Sequence, residues 1–346
     1  MADVKPFRAL RYDERQAGPL ESLVAPPYDV ISAADRERFM TRSPYNVVRL
    51  TLPDDEAKAA DLLQAWIEEG VLARDEEPSY WWLAQDYVGP DKVSRRRDGL
   101  VVALRVEPYE TGRIRPHERT HAGPKEGRLR LLRALHMQTE PLFFLYPGSL
   151  QAPTGAPAMD VELDGVRSRL WRLDAAPALD DVELLIADGH HRYETALAFH
   201  EEDGSEASAW LLAVLVPTGQ KGLTIFPTHR IATRTKPLPV LESHPDGDDR
   251  AIAEVYTREG SGYLYGDRGE LDTELVARYA PEVRYTPSAE EARAAVDSGQ
   301  AEAAFLLRPP TVEQVAAVAE AGKTMPQKST FFYPKLTSGL LFLPLD

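Results

Sequence analysis

Hydrophobic periodicity divides the chain into short apolar runs and amphipathic stretches. Glu183-Leu-Leu-Ile-Ala-Asp188 reads as a buried strand that stops at Asp188-Gly189, a turn signal. A helical pattern follows, with Tyr193, Ala196, Leu197 and His200 on one face. Upstream, the pattern predicts a helix over Ala33–Arg42 capped by Ser32 and a strand over Asn46–Leu52. An amphipathic helix over Glu56–Glu69 ends at Gly70, and strands follow over Tyr80–Tyr87 and Gly99–Val106. Gly127–Met137 reads as a helix with Leu129, Leu132 and Leu135 inward and its arginines outward, and Pro141–Tyr146 as another apolar strand. Pro147–Met159 has the composition of a loop. Strands over Ala209–Val216 and Gly222–Phe226 flank a turn at Pro217–Gln220.

Lys236–Arg250, with three prolines and many charges, reads as a linker or surface excursion. Beyond it the pattern runs strand (Glu282–Tyr285), helix (Ala289–Ser298), strand (Ala303–Arg308), helix (Val312–Ala321), then a loop and a strand at Gly339–Leu343. This alternation predicts an α/β fold, with an α+β mixed sheet in the larger part. The expected organisation is a core over residues 1–235, a linker over 236–250 and a C-terminal α/β unit over 251–346.

The 346 residues include no cysteine, which excludes disulfides, thiolate metal sites and a thiol nucleophile. No apolar run reaches the length of a membrane span, and the first residues lack a signal-peptide core, so no membrane partner and a cytoplasmic location are expected. A net charge of −15 disfavours nucleic acid as a partner. A homo-oligomer is compatible with the sequence. Between Thr111 and Arg133 the balance reverses: Arg113, Arg115, Arg119, Lys125, Arg128, Arg130 and Arg133 outnumber Glu118 and Glu126. Such an island suggests a local anion pocket; the alternative is a solvated helix face.

The strand-to-helix turn concentrates the candidate chemistry. Helix N-termini present backbone N–H groups and a partial positive charge, and phosphate is their usual occupant. Gly189, His191 and Arg192 are therefore candidate phosphate or nucleotide ligands, unless Arg192 pairs with a carboxylate such as Glu194. His190 is a candidate base, phosphate donor or nucleophile, or a structural histidine. Asp188 is a candidate orienting group, metal ligand or base, and equally a plain N-cap. Tyr28 and Asp29, displayed on the stiff Ala25-Pro26-Pro27 segment, offer a substrate contact and a base, or a simple turn. His117 and Glu118, with Lys125, Arg128 and Arg133, suggest a second anion grip or a clamp on a substrate carboxylate. Lys328, Ser329, Thr330 and Lys335 form a third polar loop without the Gly-rich Walker pattern. His229 and Arg230 end a strand and are candidate pocket residues, or a satisfied surface turn. His117-Glu118-Arg-Thr-His121 also fits the zinc-peptidase pattern, with Glu140 as a possible third ligand, but Pro116 and Gly123-Pro124 leave little room for the helix that pattern needs. No metal is assigned.

Several blocks together resemble the domain-of-unknown-function 1015 family: Pro6-Phe-Arg, Ala25-Pro-Pro-Tyr-Asp-Val-Ile, Ser43-Pro-Tyr-Asn, Pro116-His-Glu, Gly123-Pro-Lys, Arg128-Leu, Asp188-Gly-His-His-Arg, Pro227-Thr-His-Arg and Lys328-Ser-Thr-Phe-Phe-Tyr-Pro-Lys. Asp188-Gly-His-His-Arg-Tyr-Glu-Thr-Ala is also similar to the signature of the ParB/sulfiredoxin-like superfamily, nearest to its archaeal ADP-dependent free-serine kinases. That resemblance implies a ParB/sulfiredoxin-like phosphate-binding core. It also implies Mg²⁺ with ADP or ATP and a kinase or phosphotransferase acting on a serine-like hydroxyl amino acid. In such an enzyme Asp29, Glu118 or Asp188 would take the hydroxyl proton, and His191 and Arg192 would stabilise the phosphoryl group. Sulfiredoxins carry cysteine where this chain has His190, so sulfinic-acid reduction is not expected. A phosphatase using His190 and a nucleotide-sensing regulatory module are the alternatives.

Overall fold

The computed structural model describes residues 3–118, 122–175, 179, 183–243, 250–326 and 328–346. The chain separates into two compact units. One comprises Met1–Pro116, Thr120–Leu223 and Pro334–Asp346, the other His117–Arg119 and Thr224–Tyr333.

The first unit is built on a mixed sheet. Its strands run in the spatial order Ile114–Arg115, Leu184–Asp188, Leu142–Tyr146, Trp210–Pro217, Ser94–Arg105, Tyr80–Val88, Val166–Leu173 and Met159–Leu163, with Val4–Lys5 also paired to Ser94–Arg105. Leu142–Tyr146 is parallel to Trp210–Pro217 and antiparallel to Leu184–Asp188. All five residues of Leu142–Tyr146 are buried, the continuous apolar run of a strand covered on both faces. Leu100, Val102, Leu104, Phe144, Ile186, Tyr193, Leu211, Ala213 and Leu215 gather in one core cluster on this sheet. Gly99 is required by close approach: a Cβ there would lie 2.7 Å from Val214 Cγ1.

Most of the expected elements form. Ser32 caps Ala33–Arg42 by accepting from the Asp35 amide, and Asp55 caps Glu56–Glu68 in the same way, accepting from the Lys58 amide. Asn46–Leu52 is not a strand. Val48–Thr51 is a helical turn, because Asn46 Oδ1 accepts from the Val48 amide while its Nδ2 donates to the Ser22 and Val24 carbonyls. The helix Ala122–Leu135 starts earlier than expected, and it buries Leu131 with Leu132 and Leu135 while Leu129 stays half-buried. The hairpin Met159–Leu163/Val166–Leu173 adds to the expected elements. Its two-residue loop has positive φ at both Asp164 (47°) and Gly165 (80°), the turn that Asp-Gly favours.

The second unit holds an antiparallel five-stranded sheet in the order Gly260–Arg268, Arg250–Thr257, Ala303–Leu307, His229–Ala232, Arg284–Thr286. Helices Asp272–Tyr279 and Ala289–Asp297 pack on this sheet, and Val312–Glu320 follows its strand Ala303–Leu307. The strands Arg284–Thr286 and Ala303–Leu307 of the strand–helix alternation do not pair with each other, because His229–Ala232 lies between them and is antiparallel to both. His229–Ala232 belongs to this sheet, which sets the division before residue 224 rather than at the expected 236–250 linker. The chain's last segment returns to the first unit, where Leu343–Pro344 pairs with Met137–Gln138. Of the expected linker, residues 244–249 lie outside the described residues. No helix among the described residues is long and apolar enough to cross a membrane.

Candidate functional site: a cationic turn at Asp188

Strand Leu184–Asp188 delivers Asp188 to the start of helix His190–Asp203 through one residue, Gly189. Gly189 has φ 99° and ψ 25°, a left-handed conformation that costs other residues. The space is also closed, since a Cβ there would lie 3.1 Å from Leu142 Cγ and 3.2 Å from Arg192 Nη2. Gly189 has no side chain with which to cap this helix. The helix N-terminus therefore keeps the partial positive charge that an anion or a carboxylate offsets.

Asp188 supplies the carboxylate. Its Oδ2 accepts from Arg192 Nη2 at 3.2 Å, and its Oδ1 accepts from Lys335 Nζ. Burial alone would raise its pKa; Lys335, Arg192 and His190 overcome that and hold the carboxyl well below its ordinary value. Arg192 is 8% exposed, and its Nη1 donates to the Pro141 carbonyl at 2.9 Å. Burial opposes its charge, yet Glu140, Asp188, Asp29 and Tyr28 together raise its pKa. Arg192 thus pairs with Asp188. Glu194, the partner suggested by sequence, takes Lys125 instead. His190 is 7% exposed, and His191 beside it is half-buried.

A second carboxylate lies close by. Glu140, 2% exposed, accepts from Arg128 Nη2 (3.0 Å), the Tyr28 amide (2.9 Å) and Ser338 Oγ (3.1 Å). Arg128 also donates to the Thr51 carbonyl and lies 4.2 Å over the Tyr28 ring. This network fixes the Pro26-Pro27-Tyr28-Asp29 segment. Burial raises the Tyr28 pKa, while Arg192 and Arg128 oppose that rise. Asp29 is exposed, and its charge acts on both Tyr28 and Arg192.

The basic island is mostly neutralised by acids brought in from elsewhere. Arg113 pairs with Glu107, Arg115 with Glu183, Lys125 with Glu194, Arg130 with Glu56 and Arg133 with Glu202. Arg119 lies outside the described residues. Arg128 is tied to Glu140, whose charge reaches Arg192. Arg128 therefore points inward, against the expectation that the arginines of this helix face outward.

The remaining sequence candidates lie in the second unit, where most are held by neighbours. His117 Nε2 is 2.9 Å from Thr330 Oγ1. Ser329 Oγ donates to the Pro326 carbonyl at 2.6 Å and lies 3.2 Å from Thr273 Oγ1. Arg230 donates to the carbonyls of Thr228 and Lys328, and burial lowers its pKa to about 10. His229 Nδ1 accepts from the Leu307 amide at 3.1 Å, and burial lowers its pKa to about 4. This makes His229 a neutral sheet-fastening group. Lys328 is exposed with φ 56°. Ser329 also lines a cleft of about 470 Å³ with Asp272, Arg308, Thr311 and Gln314, within this unit alone.

The zinc-peptidase pattern does not fold as that chemistry needs. Glu118 forms a parallel bridge with Met325 rather than lying on a helix, and helix Ala122–Leu135 begins after the motif. His121 lies outside the described residues, and Glu140 is committed to Arg128, Tyr28 and Ser338. Both oxygens of Asp188 face cations, and no group of three His, Cys, Asp or Glu suited to a metal occurs among the described residues.

The sequence profile of one family matches residues 4–243, more than half of the chain. The chain belongs to the DUF1015 family, described as a protein of unknown function. The matched span contains Tyr28, Asp29, Arg97, Arg128, Glu140 and the Asp188–Arg192 turn, whereas Lys335 lies beyond it. No curated protein matches the sequence. Among solved structures, a free serine kinase in complex with AMP is similar at a TM-score of 0.42 and 14% identity, over 70% of this chain and 92% of that one. SbnI with C-terminal truncation from Staphylococcus aureus gives 0.45 and 14%, over 71% and 87%. A conserved hypothetical protein from Pyrococcus furiosus gives 0.40 and 16%, over 70% and 95%.

Proposed function

We propose that the chain is a phosphate-handling enzyme that binds a nucleotide's phosphates at the Asp188–Arg192 turn. The observation that carries this reading is a charge imbalance. Arg97, Arg192 and Lys335 are all largely buried and lie within electrostatic reach of Asp188, with Asp29 as the further carboxylate acting on Arg192, beside a helix N-terminus that begins at a glycine. The neighbouring Arg128–Glu140 pair is balanced and does not change the sum. An anion offsets such a site, and phosphate is the usual occupant of a helix N-terminus.

The reaction we propose is phosphoryl transfer to the hydroxyl of a small serine-like amino acid. The hydroxyl oxygen forms the new P–O bond, the bridging P–O bond of the nucleotide breaks, and the shortened nucleotide leaves. Asp29 receives the hydroxyl proton. Asp188 is a poor acceptor, with both oxygens on cations and its pKa held low. Asp29 is exposed, sits on a rigid segment, and lies within electrostatic reach of Arg192. The amino-acid substrate rests on motif resemblance alone.

The test is ³¹P NMR of the protein with MgCl₂, ADP or ATP, and a panel of hydroxyl amino acids. A new phosphomonoester resonance, lost in Asp29→Asn while nucleotide binding persists, supports the proposal. Inorganic phosphate as the sole product, lost in His190→Ala, supports a phosphatase instead. Binding without turnover supports a nucleotide-sensing module.

A further inference from the structure

Arg97 is 2% exposed, in the first half of strand Ser94–Arg105, and has no carboxylate partner at hydrogen-bond distance among the described residues. Burial lowers its pKa to about 10, and its Nη1 makes no hydrogen bond. A cation kept in such a place costs stability, so its bonds call for a reason. Both come from one atom. Nη2 donates to Gln85 Oε1 at 2.5 Å and to the Pro334 carbonyl at 2.6 Å. Gln85 Nε2 in turn donates to the Lys335 carbonyl at 3.2 Å. Arg97 also lies 4.5 Å over the ring of Phe143, the strand partner of Asp188. The Pro334–Lys335 backbone is thus held at two successive carbonyls by two buried side chains. The tip of Lys335 rests on Asp188 Oδ1.

We infer that Lys335 is an anion-contacting residue of the Asp188 site and that Arg97, with Gln85, is its positioning residue. The inference rests on the proposed phosphate-binding role of that site. Arg192 is less available for the task. Its Nη1 and Nη2 are committed to Pro141 and Asp188, and it is 8% exposed. Lys335 carries three donors on a flexible stem, so one can stay on Asp188 while another meets a phosphate oxygen. Rooting the stem at Pro334 and Lys335 lowers the ordering cost of that contact.

The test is calorimetric titration of ADP, and separately of inorganic phosphate, into the wild-type chain, Lys335→Ala, Arg97→Met, the double variant and Arg97→Lys. Lys335→Ala is expected to weaken binding about tenfold to a hundredfold. Arg97→Met should also weaken it, but the double variant should be no weaker than Lys335→Ala alone, since Arg97 acts through Lys335. Arg97→Lys should recover much of the loss, because a single nitrogen makes both bonds. If Arg97→Met does not fold, Gln85→Met carries the same test with the charge kept.

Equal binding by wild type and Lys335→Ala, or additive losses in the double variant, overturns the inference and leaves the proposed function standing. Binding of phosphate but not ADP, dependent on Lys335, sinks the nucleotide reading and supports the inference. A wild-type chain that binds neither overturns both.

Discussion

Lys335 and Asp188 are 147 residues apart in the chain, yet the ammonium of one rests on the carboxylate of the other. The contact closes the C-terminal segment of the first unit onto the turn where its buried strand becomes a helix. Because both side chains are largely buried, the pair is a structural bond as well as part of the candidate site.

That dual role predicts a pH signature. The Asp188 pKa is lowered in the folded chain, so its contribution to stability is complete above the ordinary carboxylate range. It is lost as pH falls from about 4 toward 2. Urea unfolding of Lys335→Ala at pH 7 should show a loss of about 2–3 kcal/mol. Asp188→Asn should flatten the dependence below pH 4. An unchanged acid limb in Asp188→Asn contradicts the lowered pKa.

Glu140 should prove more costly to remove than any surface acid of the basic island. It is buried and serves three donors. Glu140→Ala leaves the half-buried Arg128 without its carboxylate and the Tyr28 amide without its acceptor, and should cost about 3 kcal/mol in denaturant unfolding. Glu140→Gln keeps an acceptor for the Tyr28 amide and should cost about 1–2 kcal/mol. Glu202→Ala, which breaks only the exposed pair with Arg133, should cost under about 1 kcal/mol. Equal effects of Glu140→Ala and Glu202→Ala contradict the assigned network.

His229 predicts a second pH dependence, in the second unit. Its folded pKa is depressed to about 4, so its contribution is present above the unfolded value near 6.5 and is lost as pH falls toward 4. The wild type should lose on the order of 3 kcal/mol across that window. His229→Gln, which keeps an acceptor for the Leu307 amide, should lose less. Unfolding followed at Tyr285 or another probe of this unit between pH 7 and pH 4 checks it.

How much of this was legible in the sequence follows from which interactions are local. The Asp188-Gly189 turn was readable because an apolar run, a turn dipeptide and a helical period adjoin within a few residues. The Ser32 cap was readable for the same reason. Lys335 belonged to a polar loop by composition, but nothing in its spacing points to Asp188. Glu140 looked like a spare ligand until Arg128 and Tyr28 were brought to it. The basic island looked like an anion pocket because its carboxylates, Glu56, Glu194 and Glu202, are distant in sequence and arrive only through helix packing. Asn46–Leu52 failed as a strand because side-chain bonds from Asn46 outweighed the β-branched residues that follow it.

The central claim is that the Asp188–Arg192 turn receives phosphate. The most direct measurement is a backbone-amide NMR titration of the isotope-labelled chain with ADP and MgCl₂. Large, saturable shifts should appear at the amides of Gly189, His190, His191 and Arg192, with smaller ones near Tyr28 and Lys335, and Lys335→Ala should reduce them at equal ADP. Shifts confined to other parts of the chain, with Gly189–Arg192 unmoved at saturation, would contradict the account.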